Sequence, residues 1–192
     1  IVAGGANFPT PVWDNDKVWH DSIYVLPRSS GISTDDGPQW IEAGKLPRLT
    51  GYGASVSIPS SESAHHGVLC LGGNDSDATF RNVYLLRWDP SSRLIERIDF
   101  PALPEPCVHA SAQLIGKSVY VVGGQTGSDL STTTSHLSAL DLSQSDDPAS
   151  LVWARLADLP GPPRALHVTA AQHDGYETCL YSISGRRQSQ SS

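Results

Sequence analysis

A short apolar run that ends at two glycines recurs along this chain, and that repeat limits its fold more than any other feature of the sequence. The clearest copy is residues 118–127, SVYVVGGQTG. Residues 69–75 read LCLGGND and residues 1–9 read IVAGGANFP. Residues 180–187, LYSISGRR, are a degraded copy in which Ser184-Gly185 replaces Gly-Gly. β-Branched and aromatic residues suit a buried strand. Glycines at its end allow the positive φ or close backbone approach that side chains forbid. The first glycines fall at Gly4, Gly72 and Gly123, with Ser184 in the fourth place, giving steps of 68, 51 and 61 residues. Such spacing marks a repeat architecture built from one supersecondary unit.

The composition leaves all-β as the fitting class. With 17 Gly and 14 Pro in 192 residues, no 3.6-residue apolar period survives for long. The formal net charge of −7, with Arg186-Arg187 the one adjacent basic pair beyond single residues, argues against nucleic acid as a partner. No apolar run approaches the ~20 residues that a membrane helix needs. The three cysteines, Cys70, Cys107 and Cys179, lack metal-ligand spacing; Cys70 and Cys179 lie in strand patterns and read as core thiols. The chain has no methionine and starts in the middle of a strand, so a segment cut from a longer protein is expected. The compartment stays open between periplasmic or secreted and cytoplasmic.

Read as four-stranded units with strands a to d, the first copy supplies b at 1–5, c at 18–26 and d at 39–43. The second has a at 54–58, b at 68–73, c at 82–88 and d at 94–98. The third has a at 110–115, b at 118–124, c at 136–141 and d at 151–155. The fourth offers a at 167–172 and b at 178–183. Residues 188–192 read as a disordered tail. The d-to-a connections repeat too: KLPRLTGYGAS, ALPEPCVHAS and DLPGPPRALHVT. Proline ends strand d in each, because it cannot donate to the ladder. Counted back from the small residue of strand a, Tyr52, His109 and His167 occupy equivalent places.

This grammar resembles kelch β-propellers, whose blades recur at roughly 50 residues. The resemblance goes further. IVAGGANFP, VWHDSIYVL, AGKLPR with GYGAS, CLGGND, VYLLRWDP, VYVVGGQTG and LPGPPR together are similar to the cyclically permuted mutarotase family, related to bacterial N-acetylneuraminate mutarotases. GGANFP followed by VWHD, AGKLPR and GYGAS is the more specific part. The resemblance covers almost all of residues 1–187. It implies an all-β, kelch-type propeller with about three four-stranded blades of a six-bladed ring: a partial blade at 1–43, blades at 54–98 and 110–155, and a partial blade at 167–187. It implies a sugar mutarotase or epimerase acting by acid/base ring opening and reclosure on N-acetylneuraminate or a related sugar, without a cofactor. The alternative is a non-catalytic module that binds a protein or glycan through the same face. A partial ring would also expose raw strand edges, through which copies could self-associate.

In a propeller, the loops after Gly-Gly and the starts of the a strands converge on one face. That places Asn7, Asn74, Asp75, Gln125 and Arg186 with Arg48, Tyr52, His109, Arg164 and His167, a rim of donors and acceptors suited to a polyhydroxylated sugar. Arg48 and Arg164 could fork a sugar carboxylate, or only pair with a neighbouring blade. His109 and His167 qualify as acid or base by type, as do Glu105 and Asp75 if burial raises their pKa values. Each histidine could equally cap a loop, and Asn7 and Asn74 suit the turn geometry after Gly-Gly. Trp13, Trp19 and His20 lie in or after the long first loop, where an exposed indole could stack on a sugar. His65-His66 reads as a solvated turn, and no metal site is expected.

Overall fold

The computed structural model describes residues 1–11, 13, 16–27, 39–61 and 63–187. The tail at 188–192 lies outside them. Among the described residues the chain is all-β, with single 3₁₀ turns at Leu130–Thr132 and Pro148–Ser150. No helix is long and apolar enough to cross a membrane.

The first five strands are β1 (Val2–Ala3), β2 (Ala6–Asn7), β3 (Val18–Trp19), β4 (Ser22–Val25) and β5 (Ile41–Lys45). β1, β4 and β5 form a three-stranded sheet, while β2 and β3 form a separate ribbon. β6 (Ala54–Ile58), β7 (Gly67–Leu71), β8 (Val83–Asp89) and β9 (Leu94–Phe100) make a four-stranded meander. A second meander consists of β10 (Ser111–Ile115), β11 (Ser118–Val122), β12 (Leu137–Asp141) and β13 (Trp153–Arg155). β14 (Val168–His173) pairs with β15 (Thr178–Ile183). All pairings are antiparallel. The leading strands of successive sheets pack side by side, β6 on β10 and β10 on β14. This order, with inner strands gathered together and later strands stepping outward, is that of a β-propeller.

The core lies between the sheets. Leu69, Leu85, Val119 and Leu140 have no exposed surface, and they join Val56, Leu71, Val121 and Leu151 in one cluster spanning both meanders. Burial of each such leucine stabilises the fold by about 1.5–3 kcal/mol. Trp153 ties the outermost strand of one meander to its neighbour by donating Nε1–H to the Pro101 carbonyl at 2.9 Å. Burial pushes the Cys70 and Cys107 thiols up to about 12, so they remain uncharged. Cys179 instead turns towards the Asp174 carboxylate, 3.5 Å away.

Two expectations need correcting. Residues 18–26 are not one strand. The chain breaks at His20–Asp21, because the His20 backbone is taken by neighbours: its N–H donates to Gly5 and its carbonyl accepts from Thr50. Nor is His65 in a solvated turn. It is buried, with Nε2 2.9 Å from the Ser145 carbonyl and its ring edge-on to Phe100.

Candidate functional site

The Gly-Gly pairs position the site, and the reason is a repeated backbone latch. After each sheet the connecting segment crosses back over that sheet's own Gly-Gly. The second glycine N–H donates to its carbonyl: Gly5 to Thr50 at 2.7 Å, Gly73 to Cys107 at 2.7 Å, Gly124 to Arg164 at 2.9 Å. A Cβ on the first glycine would lie 2.3, 2.1 and 2.5 Å from those same oxygens. The connector then pairs forward with the residue after the next Gly-Gly, as Gly51 with Asn74, Val108 with Gln125 and Ala165 with Arg186. The next connector residue has positive φ each time: Tyr52 at 59°, His109 at 57° and Leu166 at 56°. These residues are chained by backbone hydrogen bonds, His109 N–H to the Tyr52 carbonyl and Leu166 N–H to the His109 carbonyl.

So the structural equivalents are Tyr52, His109 and Leu166, not His167. His167 is one position later and is buried between the third and fourth of these pairs, against Gly123 and Gly185. Neither of its ring nitrogens has a hydrogen-bond partner of good geometry. Burial lowers its pKa first and the Arg164 cation second, with a weak approach to the Val122 backbone opposing both.

Around Tyr52 and His109 the polar groups form a continuous chain. Gln125, itself buried, places Oε1 3.1 Å from His109 Nδ1. The His109 ring stands edge-on to Tyr52, with centroids 4.9 Å apart. The Lys17 ammonium sits 4.2 Å from the Tyr52 ring centroid, 5.2 Å from that of Trp19 and 6.0 Å from that of Phe8. Trp19 Nε1–H in turn points at Asn74 Oδ1, 3.5 Å away. Burial and the Lys17 charge, in that order, hold the His109 pKa below the usual histidine value, so its imidazole is neutral at pH 7. Asn7 borders this cluster, with Oδ1 2.8 Å from His20 Nε2.

The remaining candidates have other duties. Asp75 accepts from the Asp77 and Ala78 N–H groups, and this turn holds its carboxyl below the usual range instead of raising it. Glu105 pairs with His136 Nδ1 at 2.9 Å, in a cleft that Gln125 also lines. The Arg48 guanidinium stacks 4.6 Å from the Phe80 centroid. Arg164 is half-buried and aims Nη1 at the Ser184 carbonyl, 3.5 Å away, beside Arg186, which follows β15. Among the described residues no group of three or more His, Cys, Asp or Glu could hold a metal ion.

Lys17 and His136 were missed by sequence reasoning. Lys17 is the second residue of the tripeptide Asp16-Lys17-Val18 and looks like an ordinary solvated strand end; the ring of aromatics around it comes from three separate segments. His136 could have been found, since it stands at the entry to β12 as Ser22 and Asn82 do at the corresponding strands, each accepting from a first-glycine N–H.

No family model matches the chain. An N-acetylneuraminate epimerase of Brucella suis is 36% identical over 108 residues, which covers 50% of this chain and 24% of the relative. An N-acetylneuraminate epimerase of Yersinia pestis is 33% identical over 109 residues, covering 50% and 24%. The matched stretch spans about a quarter of the length of these relatives, and over it the chain is similar to N-acetylneuraminate epimerases.

Proposed function

We propose that this chain is part of a kelch-type, six-bladed sugar epimerase of the cyclically permuted mutarotase kind, which interconverts the anomers of N-acetylneuraminate or a related sugar. The observation that carries the reading is the continuous chain Gln125, His109, Tyr52, Lys17, Trp19, Asn74, which sets a neutral imidazole, two amides and a cation side by side where the inner strands begin. The similarity of half the chain to N-acetylneuraminate epimerases supports the choice of sugar.

Anomer exchange removes the proton of the anomeric hydroxyl while the ring oxygen gains one. The C–O ring bond breaks, the carbonyl end turns, and the reverse transfers reclose the ring. A neutral imidazole is fitted to the first transfer. Gln125 Oε1 accepts from His109 Nδ1–H, which leaves the lone pair on Nε2 as the base. Nε2 is covered in the ligand-free chain, so a sugar reaches it only with a side-chain shift on the rim. In this reading Asn7 and Asn74 bind hydroxyls, Gln125 reaches the sugar only after the same side-chain shift that uncovers His109, and His167 braces the loop beneath. Asp75 stays ionised and serves as an acceptor. Glu105 acts through His136, and Arg48, Arg164 and Arg186 line the outer rim.

The test is proton NMR of α-N-acetylneuraminate liberated in situ, comparing this chain with buffer and with the Brucella suis relative. Faster appearance of the β anomer is expected, and His109→Ala should slow it by about 10²–10⁴-fold. If the relative accelerates exchange and this chain does not, these residues do not suffice for catalysis on their own; if neither does, the N-acetylneuraminate assignment is rejected. Exposed Phe8 and Trp13 favour glycan binding without turnover as the second reading; binding at an unchanged exchange rate would establish it.

A further inference from the structure

We propose that the Lys17 ammonium, racked over Tyr52, Trp19 and Phe8, is the group that holds the carboxylate of an acidic sugar at this site. The inference rests on the reading above and assigns the anion-binding role within it.

The chain is acidic overall, with 20 Asp and Glu against 13 Lys and Arg. A half-buried cation near the inner strands therefore stands against the general trend. Among the described residues the ion pairs are made by Lys45, Arg87, Arg97, His136 and Arg155, and none by Lys17. Aromatic faces compensate part of an ammonium's lost hydration. They do not satisfy its three N–H donors as an oxygen acceptor would. Among the described residues Nζ makes neither a hydrogen bond nor an ion pair beside its ring contacts, so its donors are left for an anion.

The competing cations are less suited. Arg48 spends its guanidinium face on Phe80 and lies in the field of Asp75. Arg164 has Nε buried without a partner and directs Nη1 at the Ser184 carbonyl on the next repeat. Lys17 alone of these stands in contact with the Tyr52–His109 pair. A carboxylate on Nζ would bring the adjoining anomeric carbon, its direct neighbour in N-acetylneuraminate, towards His109.

The experiment compares binding of N-acetylneuraminate and of its C1 methyl ester, by NMR line-broadening titration, to the wild-type chain, Lys17→Met, Lys17→Arg and Arg48→Gln. Lys17→Met keeps an apolar stem against the three rings, and Lys17→Arg keeps the charge. The wild type should prefer the acid over the ester, by about 10- to 100-fold for a charge-assisted bond. Lys17→Met should lose that preference while binding the ester within about twofold of wild type, the ester contact being uncharged. Lys17→Arg should retain most of the preference. If Lys17→Met keeps the acid preference, or Arg48→Gln removes it, the assignment is overturned while the sugar-binding reading stands. If wild type binds acid and ester equally, the same conclusion follows. If neither compound binds, the functional reading itself fails and this assignment falls with it.

Discussion

The 72–73 and 184–185 pairs adopt nearly the same backbone: Gly72 and Gly73 have φ of 62° and 100°, Ser184 and Gly185 65° and 106°. Yet one first position is glycine and the other serine. The difference lies in what each backbone faces. A Cβ at Gly72 would lie 2.1 Å from the Cys107 carbonyl, inside any real contact distance. At Ser184 no crossing connector occupies that place among the described residues, and a Cβ is accommodated. Left-handed φ alone costs an L-residue only about 1–2 kcal/mol. The close approach is the stronger demand, and it is what makes Gly-Gly recur wherever a connector is latched.

The largest effect should come from breaking that latch. Gly72→Ser places a side chain where the Cys107 carbonyl sits, so the connector must lift and the Gly73 N–H···O bond is lost with it. We expect a loss of about 3–5 kcal/mol, in the range of core overpacking with a buried hydrogen bond broken. Urea denaturation measures it. A loss below about 1 kcal/mol, no more than the φ penalty, would mean that the latch contributes little.

Truncation in the core should come next. Leu85→Ala removes a side chain with no exposed surface in the cluster between the meanders, at a cost of about 2–4 kcal/mol. Val168→Ala in β14 is the counterpart: that valine is 63% exposed, so a change within about 0.5 kcal/mol is expected. Equal losses in the two variants would show that β14 is covered in solution.

The comparison also explains which parts of the molecule could be read from the sequence. Gly-Gly carries its own signal, so strands β7, β11 and β15 fall within about two residues of their sequence-based bounds. The break at His20–Asp21 was invisible, because nothing local ends the strand; the distant Gly5 and Thr50 backbones take its hydrogen bonds. Counting back from the small residue of each a strand sets His167 level with Tyr52 and His109. The true ruler is pairing: Ala54 with Leu71, Ser111 with Val122 and Val168 with Ile183 put Leu166 in that place. At the site, Asn74, Gln125, Tyr52 and His109 were legible, since each sits at a fixed offset from a repeat mark. Lys17 was not, since its role depends on three rings from separate segments. The turn that holds Asp75 ionised was likewise illegible, since it depends on where the Asp77 and Ala78 N–H groups point.

A pH effect of intermediate size should separate His167 from its counterparts Gly53 and Ala110, which cannot titrate. Its folded pKa is lowered by burial and by Arg164. The unfolded chain takes up a proton near pH 6.5 while the native chain resists it. The stabilisation is therefore complete above the unfolded value and is lost as pH falls from there through the folded value. His109 acts in the same direction. Urea midpoints at pH 7.5 and 5.0 should differ less in His167→Asn than in wild type. An unchanged difference would mean that His167 is free to protonate in the folded chain.

The smallest effect tests the comparison from its other side. Ser184→Gly relieves an L-residue of left-handed φ, a gain of about 1 kcal/mol. It also frees the unfolded chain at that position, which costs roughly 0.5–1 kcal/mol. The hydrogen bond that Arg164 directs here goes to the Ser184 carbonyl and survives the substitution. The two terms nearly cancel, so the midpoint should move by less than the equivalent of about 0.5 kcal/mol. A clear loss would mean that the serine side chain makes a contact that holds the last sheet. A near-zero result beside a large loss in Gly72→Ser would separate the two reasons for glycine, backbone angle and close approach, within one molecule.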